Sequence, residues 1–393
     1  MKVEQIATIM NGVTKEILGE SAVVNEDLSN IVDIGKEIFD ATAVDNYVKK
    51  LIDHIGRVVF VNRVYRGATP SVLMDGWEYG SVLEKITCEL PDADENESWN
   101  LKDGQIYEQD KFYEPKVSVK FYNSKVTLEI PMSFTELQVK SSFDNAAQLN
   151  GFLSMIQNSV ERSMTIKLDS LVQRTINNFI AETLHDAHED GKFGNGSTTR
   201  AVNLLYLYNQ RFGETLTADK CLTDAGFIRF ASMTMNLYKD RLAKISTLFN
   251  IGGRDRFTSG DMLHTIMLSE FATASDIYLQ ADTFHKELVA LPTTETVSYW
   301  QGSGTDYEFS STSAIHVNAA DGQGGNGVEV QASGILAVMF DRDALGVCNQ
   351  NRRVTSHYNA KAEFFNNWYK ADASYFNDFN ENFVVFYVAD SEE

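Results

Sequence analysis

The sequence feature that most constrains the fold is a long apolar stripe at the helical period between residues 144 and 184. The stripe consists of Leu149, Phe152, Leu153, Ile156, Val160, Met164, Leu168, Leu171, Val172, Ile176, Phe179, Ile180 and Leu184. Polar residues fill much of the rest, Asp144 is a suitable N-cap, and the polar stretch 185–196 is expected to end the run. At 1.5 Å per residue the pattern predicts a helix roughly 60 Å long, whereas the usual length is about 11 or 12 residues. A helix of that length needs a broad surface to lie across.

Length and composition indicate a folded chain with several lobes. The 393 residues are 43% hydrophobic, which is enough for two or three domains or for one elongated subunit. The three cysteines lie far apart and form no Cys-x-x-Cys pair, so buried thiols in a reducing compartment are expected. Because the N-terminus lacks a signal-peptide pattern and no apolar run approaches about 18 residues, we expect a soluble protein with no membrane span.

The charge balance argues against binding to polyanions. The formal net charge is −21, whereas sequence-specific DNA and RNA binders need a basic surface, because neutralisation of phosphates supplies much of their affinity. An acidic surface also suits a protein that lies close to nucleic acid without adhering to it. The sequence therefore argues against a sequence-specific nucleic-acid binder but allows proximity to nucleic acid.

An arm, a helix and a strand are predicted before residue 67. Residues 1–36 have weak periodicity and predict an extended or partly helical arm. Residues 40–54 carry apolar side chains on one helical face, and residues 57–65 have the branched and aromatic side chains that favour a strand.

A protruding β-loop is predicted over residues 67–132. Glycines and prolines separate short runs that alternate with period two, and the runs at 117–121 and 126–132 flank Asn123 and Ser124, which predicts a β-hairpin.

An earlier alternating run at 86–90 is expected to pair back with these strands across an acidic, irregular tip at 92–104. Two arms with little core of their own are marginal in water, so the loop is expected to rest on a neighbour.

Residues 200–345 predict a compact α+β lobe. Its elements in chain order are a short helix or strand at 204–212, a helix at 223–248, a strand at 262–268, a helix at 271–289 and short strands at 299–300, 328–330 and 335–340. The remaining residues are dense in aromatic side chains and end in a strand at 383–388. Acids outnumber lysines there, so the aromatic residues favour a core or a subunit interface over base stacking, which needs a positive groove.

Three patterns suggest chemistry, and each has a simpler explanation. Residues 322–327 match Gly-x-Gly-x-x-Gly, but a strand follows where a dinucleotide site requires a helix. Residues 92–103 resemble a calcium-binding loop, but Glu97 stands where the turn requires glycine. His185 and His188 share a helical face and could hold a metal, although histidines at a helix C-terminus also compensate the helix dipole. We therefore predict no catalytic residue, no cofactor and no metal; an acidic metal-dependent enzyme is the alternative of a different class.

The order of these elements resembles that of the major capsid proteins of tailed bacteriophages, and most closely that of the phi29-like small tailed phages. The resemblance covers most of the chain from about residue 45 and is carried by the stretches 51–59, 149–184, 227–248, 341–348 and 383–388. It implies the Hong Kong 97 capsid fold, an α+β fold with an N-arm, an extended β-loop, a long spine helix, and peripheral and axial domains.

The resemblance also implies a division of the chain into five parts. These are an N-terminal arm with the first peripheral-domain helix and strand at 1–66, the extended β-loop at 67–132, the peripheral domain with the spine helix at 133–199, the axial domain at 200–345, and peripheral-domain return strands at 346–393. Neither a C-terminal immunoglobulin-like decoration domain nor a cleaved, fused scaffolding domain is expected.

The implied function is structural, with no enzymatic activity. Hundreds of copies are expected to assemble in the host cytoplasm into hexamers and pentamers of an icosahedral or prolate virion head, which encloses double-stranded DNA without sequence-specific binding. A separate scaffolding protein and a portal are the implied partners, and an encapsulin-type nanocompartment shell, which shares the fold, is the nearest alternative. The candidate subunit contacts are Trp77, Glu84, Lys85, Asp92, Asp94, Glu95, Glu97, Trp99, Lys102, Arg352 and Arg353.

Overall fold

The structure, a computed structural model, describes most of the chain from residue 112 onward and a smaller share before it. The described residues are Ala7, Asn11, Thr14, Val24, Asn25, Asn30, Thr69 and the ranges 72–74, 83–91, 95–107, 110, 112–135, 137–138, 146–280, 294–300, 314–319 and 328–390. The chain divides into two compact units. Unit 1 comprises Met1–Gly80, Ser124–Arg174 and Val347–Tyr375, and unit 2 comprises Ser81–Asn123, Thr175–Gly346 and Phe376–Glu393.

Helices and strands alternate irregularly along the described residues, which confirms the predicted α+β class. The helices are α1 Ala146–Glu189, α2 Leu204–Phe212, α3 Ala225–Leu242 and α4 Ser269–Gln280. The strands are β1 Leu73–Met74, β2 Leu83–Cys88, β3 Val117–Tyr122, β4 Lys125–Thr135, β5 Ala201–Asn203, β6 Leu263–Leu268, β7 Thr294–Val297, β8 Ile315–Ala319, β9 Val328–Ala332, β10 Ile335–Asp341, β11 Leu345–Asn359, β12 Phe364–Asn377 and β13 Phe383–Tyr387. Short 3₁₀ helices occur at Glu97–Trp99 and Cys221–Thr223.

Helix α1 confirms the predicted long helix and extends past its predicted end. It has 44 residues, and the expected N-cap Asp144 lies outside the described residues. The helix continues beyond Leu184 because Ala187, three residues later, adds one more buried position to the apolar face. It ends where Gly191 adopts the left-handed conformation, with φ of 63°, and where two following backbone amides donate to the Ala187 carbonyl.

The two halves of α1 differ in burial. In the first half the buried residues all belong to the predicted stripe, and they are Ile156, Val160, Met164 and Leu168. From Leu171 onward nearly every residue is buried or half-buried. The buried set there includes the polar residues Gln173, Thr175, Asn177 and Thr183. The predicted polar face is therefore confined to the first half of the helix.

The sheet of unit 1 has the strand order β1-β11-β12-β4. Strand β4 pairs antiparallel with β12 along its whole length, and β1 pairs parallel with β11. The predicted hairpin between the runs at 117–121 and 126–132 is wrong, because β3 pairs with β2 and β4 with β12. The dipeptide Asn123-Ser124 lacks the glycine that two-residue hairpin turns favour, so it does not hold the two runs together as a tight hairpin.

Unit 2 contains a five-stranded sheet with the order β5-β13-β10-β6-β7. Its central strand β10 is buried at every residue and pairs antiparallel with β13 and with β6, so the strands predicted at 335–340, 262–268 and 383–388 are confirmed. The run at 204–212 is a helix, α2, and side-chain oxygens of Asn203 and Asp224 cap the N-termini of α2 and α3.

Close packing joins the C-terminal strand to other parts of unit 2. Phe179 of α1 is buried and stacks on Phe383 of β13, with 4.3 Å between the ring centroids. Gly334 has a φ of 72°, and a Cβ added to it would lie 2.3 Å from the carbonyl oxygen of Val388. Gly213, which ends α2, has a similar φ of 70° but no atom within 4 Å of an added Cβ. Of these two positions, Gly334 alone needs glycine for both conformation and space.

Some predicted elements differ in extent or lie outside the described residues. The helix at 40–54 and the strand at 57–65 lie outside them, and α4 is described only to Gln280. The predicted strand at 299–300 is wrong, because β7 ends at Val297 and neither residue belongs to a strand. Trp300 is nonetheless buried. Its indole Nε1 donates to the backbone carbonyl of Ile335 in β10 at 2.8 Å, so the polar group of this side chain is satisfied.

Candidate subunit-contact site

Strands β2 and β3 form a two-stranded antiparallel ribbon in unit 2. Residues 83–122, which comprise the two strands and the segment between them, are called the ribbon below. Directly opposed residues share a face, so the register sets Ile86 beside Val119 on one face and Lys85 beside Lys120 on the other. The first face is mainly apolar, whereas the second combines the two lysines with Leu83, Thr87, Ser118 and Tyr122.

The outer face of the ribbon is exposed and, apart from Glu84, apolar. It is formed by Glu84, Ile86, Cys88, Val117, Val119 and Phe121. Ile86 and Phe121 are each 63% exposed and Val119 is 46% exposed, and at the tip Trp99 reaches 94%. Soluble monomers rarely leave neighbouring apolar side chains uncovered over a wide patch, so this outer face is the candidate site for contact with another protein surface.

The inner face of the ribbon contacts the rest of unit 2 through ion pairs and through Tyr122, whose ring packs on Phe376 with 5.2 Å between the centroids. The ammonium nitrogen of Lys85 lies 2.9 Å from Asp378 Oδ2 and 2.7 Å from Glu381 Oε1. It also donates to the backbone carbonyl of Asp343 at 3.2 Å. Lys120, the cross-strand neighbour of Lys85, donates to Asp378 Oδ1 at 3.0 Å. Three acceptors match the three protons of the Lys85 ammonium, so this group is satisfied although it is largely removed from water.

The carboxylates of this network come from the turn between β12 and β13. Asp378 and Glu381 are both buried. Arg256, from the loop after α3, places its Nε 3.2 Å from Glu381 Oε2. From the same loop the hydroxyl of Thr258 donates to Asp341 Oδ2 at 2.7 Å. The ribbon, the turn 378–382 and the loop after α3 are thus joined by charged and polar contacts.

Burial and pairing act in opposite directions on these groups. Burial alone raises the pKa of Asp378, but the ammonium groups of Lys85 and Lys120 outweigh it and hold that pKa below its usual value. For Glu381 burial outweighs the cations and raises the pKa. Burial lowers the pKa of Lys85, but hydrogen bonds to the two carboxylates leave it above its usual value. Asp378 and Lys85 are therefore both charged at neutral pH.

The predicted contact residues of the β-loop divide by their positions. Three lie outside the described residues, namely Trp77, Asp92 and Asp94. Four have exposed side chains on the ribbon, namely Glu84, Glu95, Trp99 and Lys102. Glu97 begins the short 3₁₀ helix next to Trp99. Contact of these residues with a neighbouring subunit stays a prediction.

The other three predicted contact residues have partners or cover within their own unit. Lys85 forms the ion pairs described above. In unit 1 Arg353 pairs with Asp372 across the sheet, and Arg352 is half-buried, which lowers its pKa. A role for them between subunits stays a prediction as well.

The sequence patterns did not single out the turn 378–382 or the loop residue Arg256. Asp378 and Glu381 counted only as acids within the aromatic C-terminal region. A usable signal is their position directly before the strong strand at 383–388, because acids in a short segment beside a buried strand must be either solvated or paired. The apolar members of β2 and β3 were recognised as strand residues, but period-two alternation does not show which face lies outward.

The alternative sites from the sequence gain no support from the geometry. His185 Nε2 lies 3.9 Å from a carboxylate oxygen of Glu189, and His188 stacks on Phe193 with 3.9 Å between ring centroids. Among the residues that the structure describes, no group of three or more His, Cys, Asp or Glu side chains is arranged to hold a metal. The glycine motif at 322–327 lies outside them. No helix in the described ranges is long and apolar enough to cross a membrane.

Comparison with known proteins identifies the family. The family model described as Phi29-like phage major capsid protein matches residues 6–387. The chain belongs to this family. The chain is similar to one in the capsid structure of Staphylococcus phage Andhra, at 10% identity and a TM-score of 0.52, over 83% of this chain and 86% of that one. It is also similar to a chain in the structure titled for the head fiber and inner core protein gp22 of native bacteriophage P68, at 8% identity and a TM-score of 0.51, over 84% and 86%. No curated protein matches the sequence significantly.

Membership of this capsid family gives the protein a structural function. It is a component of the phage virion, and its family assembles into capsid oligomers. The predicted α+β phage-capsid fold is confirmed by the solved structures that share it. The family also favours a phage capsid over an encapsulin-type shell, which was the nearest alternative.

Proposed function

We propose that this capsid protein forms hexamers and pentamers of a closed icosahedral or prolate head, and that the outer face of each ribbon covers part of an adjacent copy. The observation that carries this proposal is the exposed apolar outer face in a chain whose family builds capsids. A contact between two different surfaces of identical subunits closes into a ring when the rotation between neighbours permits it. Each copy then contributes one ribbon and receives another.

The head is proposed to enclose double-stranded DNA. The net charge of −21 supports enclosure without adhesion, because an acidic shell repels the phosphate backbone. A separate scaffolding protein and a portal are the proposed partners, and the host cytoplasm is the proposed place of assembly.

We also propose that the chain is divided into peripheral and axial domains. The axial domain at 200–345 gains support because this whole stretch belongs to unit 2. The β-loop at 67–132 gains support in its central part, where the ribbon lies. Residues 125–132 belong instead to β4, which pairs within the sheet of unit 1.

Size-exclusion chromatography and negative-stain electron microscopy of the purified protein test the proposal. We expect capsomers or closed shells, and a well-behaved monomer at all concentrations would contradict the proposal. The ribbon contact is tested separately by replacing residues 92–103 with a short Gly-Ser linker. We expect a folded subunit that assembles poorly, and an unchanged yield of shells would count against a contact at the tip.

A further inference from the structure

The ribbon places a pair of lysines against the rest of unit 2 and leaves most of its aliphatic side chains in water. Antiparallel strands that lie on a body normally bury their apolar face and leave the polar face in water. Here the side facing the rest of unit 2 carries the charged pair Lys85 and Lys120 between Leu83 and Tyr122 on one side and Thr87 and Ser118 on the other. The side facing water carries Ile86, Val119 and Phe121. Turning the ribbon about its long axis would cover the apolar face with the rest of unit 2. Some contact must therefore hold the ribbon as it is.

The ion pairs are suited to that task. Asp378 would lose both of its cations if the ribbon turned over, and a buried carboxylate without a countercharge is strongly unfavourable. A complete buried ion pair, by contrast, often adds little stability over neutral groups of similar size, because desolvation offsets the attraction. The network is thus better at selecting one orientation than at stabilising the fold.

We infer that the ion pairs of Lys85 and Lys120 with Asp378 and Glu381 position the ribbon, so that its apolar face stays turned away from the rest of unit 2 and open to a second copy of this chain. The second copy as occupant rests on the proposed function. Lys85 acts as a positioning residue, because its three acceptors are met together in only one orientation of the ribbon. The apolar face then remains exposed until a neighbouring subunit covers it.

The double variant Lys85→Met/Asp378→Asn removes one cation and one anion together. Glu381 keeps Arg256 as a partner, and Lys120 is half exposed and can be solvated. Cys88 on the outer face is exposed, whereas Cys221 and Cys348 are buried. Maleimide labelling of soluble, unassembled subunits therefore reports on Cys88. We expect labelling to slow about threefold or more in the double variant, as it must if the outward orientation falls to a third of the population.

A second reporter covers the inner face of the ribbon. Ser118 is half-buried there, opposite Thr87, so a Ser118→Cys substitution in a Cys88→Ser background should react slowly and should react faster in the double variant. The matched control is Lys370→Met/Glu129→Gln, which removes an ion pair of 3.1 Å in unit 1. This control should change neither rate.

Slower labelling outside together with faster labelling inside, in a variant that keeps its circular dichroism spectrum, supports the inference. Unchanged rates at both positions overturn it, and so does faster labelling at both, which indicates a detached ribbon without a preferred orientation. If the double variant does not fold, Lys120→Met is measured in the same way. Failure of the proposed function is distinguishable, because it would appear as absent assembly with normal labelling rates.

Discussion

Replacing the central outward pair of the ribbon, Ile86 and Val119, with threonine should weaken assembly and leave the subunit folded. Threonine keeps the β-branched side chain that strands favour, and changes at exposed positions usually alter stability by less than about 0.5 kcal/mol. Complete burial of an isoleucine or valine side chain contributes about 1.5–3 kcal/mol. Because Ile86 is 63% and Val119 46% exposed, the double substitution removes about 2 kcal/mol from each ribbon contact.

A loss of that size has a measurable effect on assembly. It corresponds to roughly a 30-fold rise in the dissociation constant of one contact, since 1.4 kcal/mol is about tenfold. Light scattering against protein concentration gives the concentration at which capsomers or shells first form, and we expect it to rise by at least that factor. Chemical denaturation of unassembled subunits should show nearly unchanged stability.

The matched control changes apolar residues of similar exposure elsewhere in unit 2. Ile245 and Leu248, in the loop after α3, are 52% and 57% exposed, and their double threonine variant should shift the assembly concentration far less. An unshifted concentration for the ribbon variant, or an equal shift for the control, would refute the assignment of the contact to the outer face.

Three further outcomes follow from the packing and charges of the subunit. Phe179→Ala should destabilise the subunit by about 3–5 kcal/mol in chemical denaturation, because it leaves a cavity where the buried ring stacked on Phe383. Met155→Ala, at an exposed position, should cost less than about 1 kcal/mol. Equal losses would contradict the packing. Gly334→Ala should lower the midpoint temperature of unfolding more than Gly213→Ala. The backbone conformation strains an alanine at both positions, but only at 334 of these two would the added Cβ also clash with the Val388 carbonyl oxygen. The reverse order would contradict the close approach. Folding lowers the pKa of Asp378, so the stabilisation by its carboxylate is present above the usual pKa of about 3.9 and is lost as the pH falls through the folded value. The difference in unfolding free energy between wild type and Asp378→Asn should therefore be largest near neutral pH and shrink below about pH 4. A difference independent of pH would contradict the pairing.

The long helix was predictable because its signal is local. A 3.6-residue period repeated over about ten turns has no competing explanation. The predicted C-terminal end was too early because the buried residue beyond it, Ala187, is small and stands among polar residues. The all-round burial beyond Leu171 was not predictable, because Gln173 and Asn177 are polar side chains that only the surrounding fold can cover. Periodicity shows that a face is apolar, but not how many faces the fold buries.

Strand pairing was only partly predictable for a different reason. Period-two alternation identifies a strand but not its partner, so nearness in sequence favoured a hairpin between β3 and β4 over the more distant pairing of β4 with β12. The pairing of β2 with β3 was predictable because the acidic, irregular tip between them is incompatible with a third strand. The ion-pair network was not predictable, because Lys85, Arg256 and Asp378 are far apart in the sequence and meet only in the fold.

An exposed apolar face creates a problem for a subunit that must remain soluble before it assembles. Two features of this chain address it at different distances. The net charge of −21 repels other copies over the range of a Debye length, about 8 Å at physiological ionic strength. That repulsion opposes non-specific encounters but is weak compared with a well-packed apolar contact at close range.

The ion pairs under the ribbon act only within the subunit, where they keep the same apolar face from packing against the rest of unit 2. Without the net charge, a misplaced copy could cover the apolar face before assembly. Without the ion pairs, the rest of unit 2 could cover it. The ribbon can therefore carry a strong contact and still present it in one orientation only, as a closed shell of repeating contacts requires.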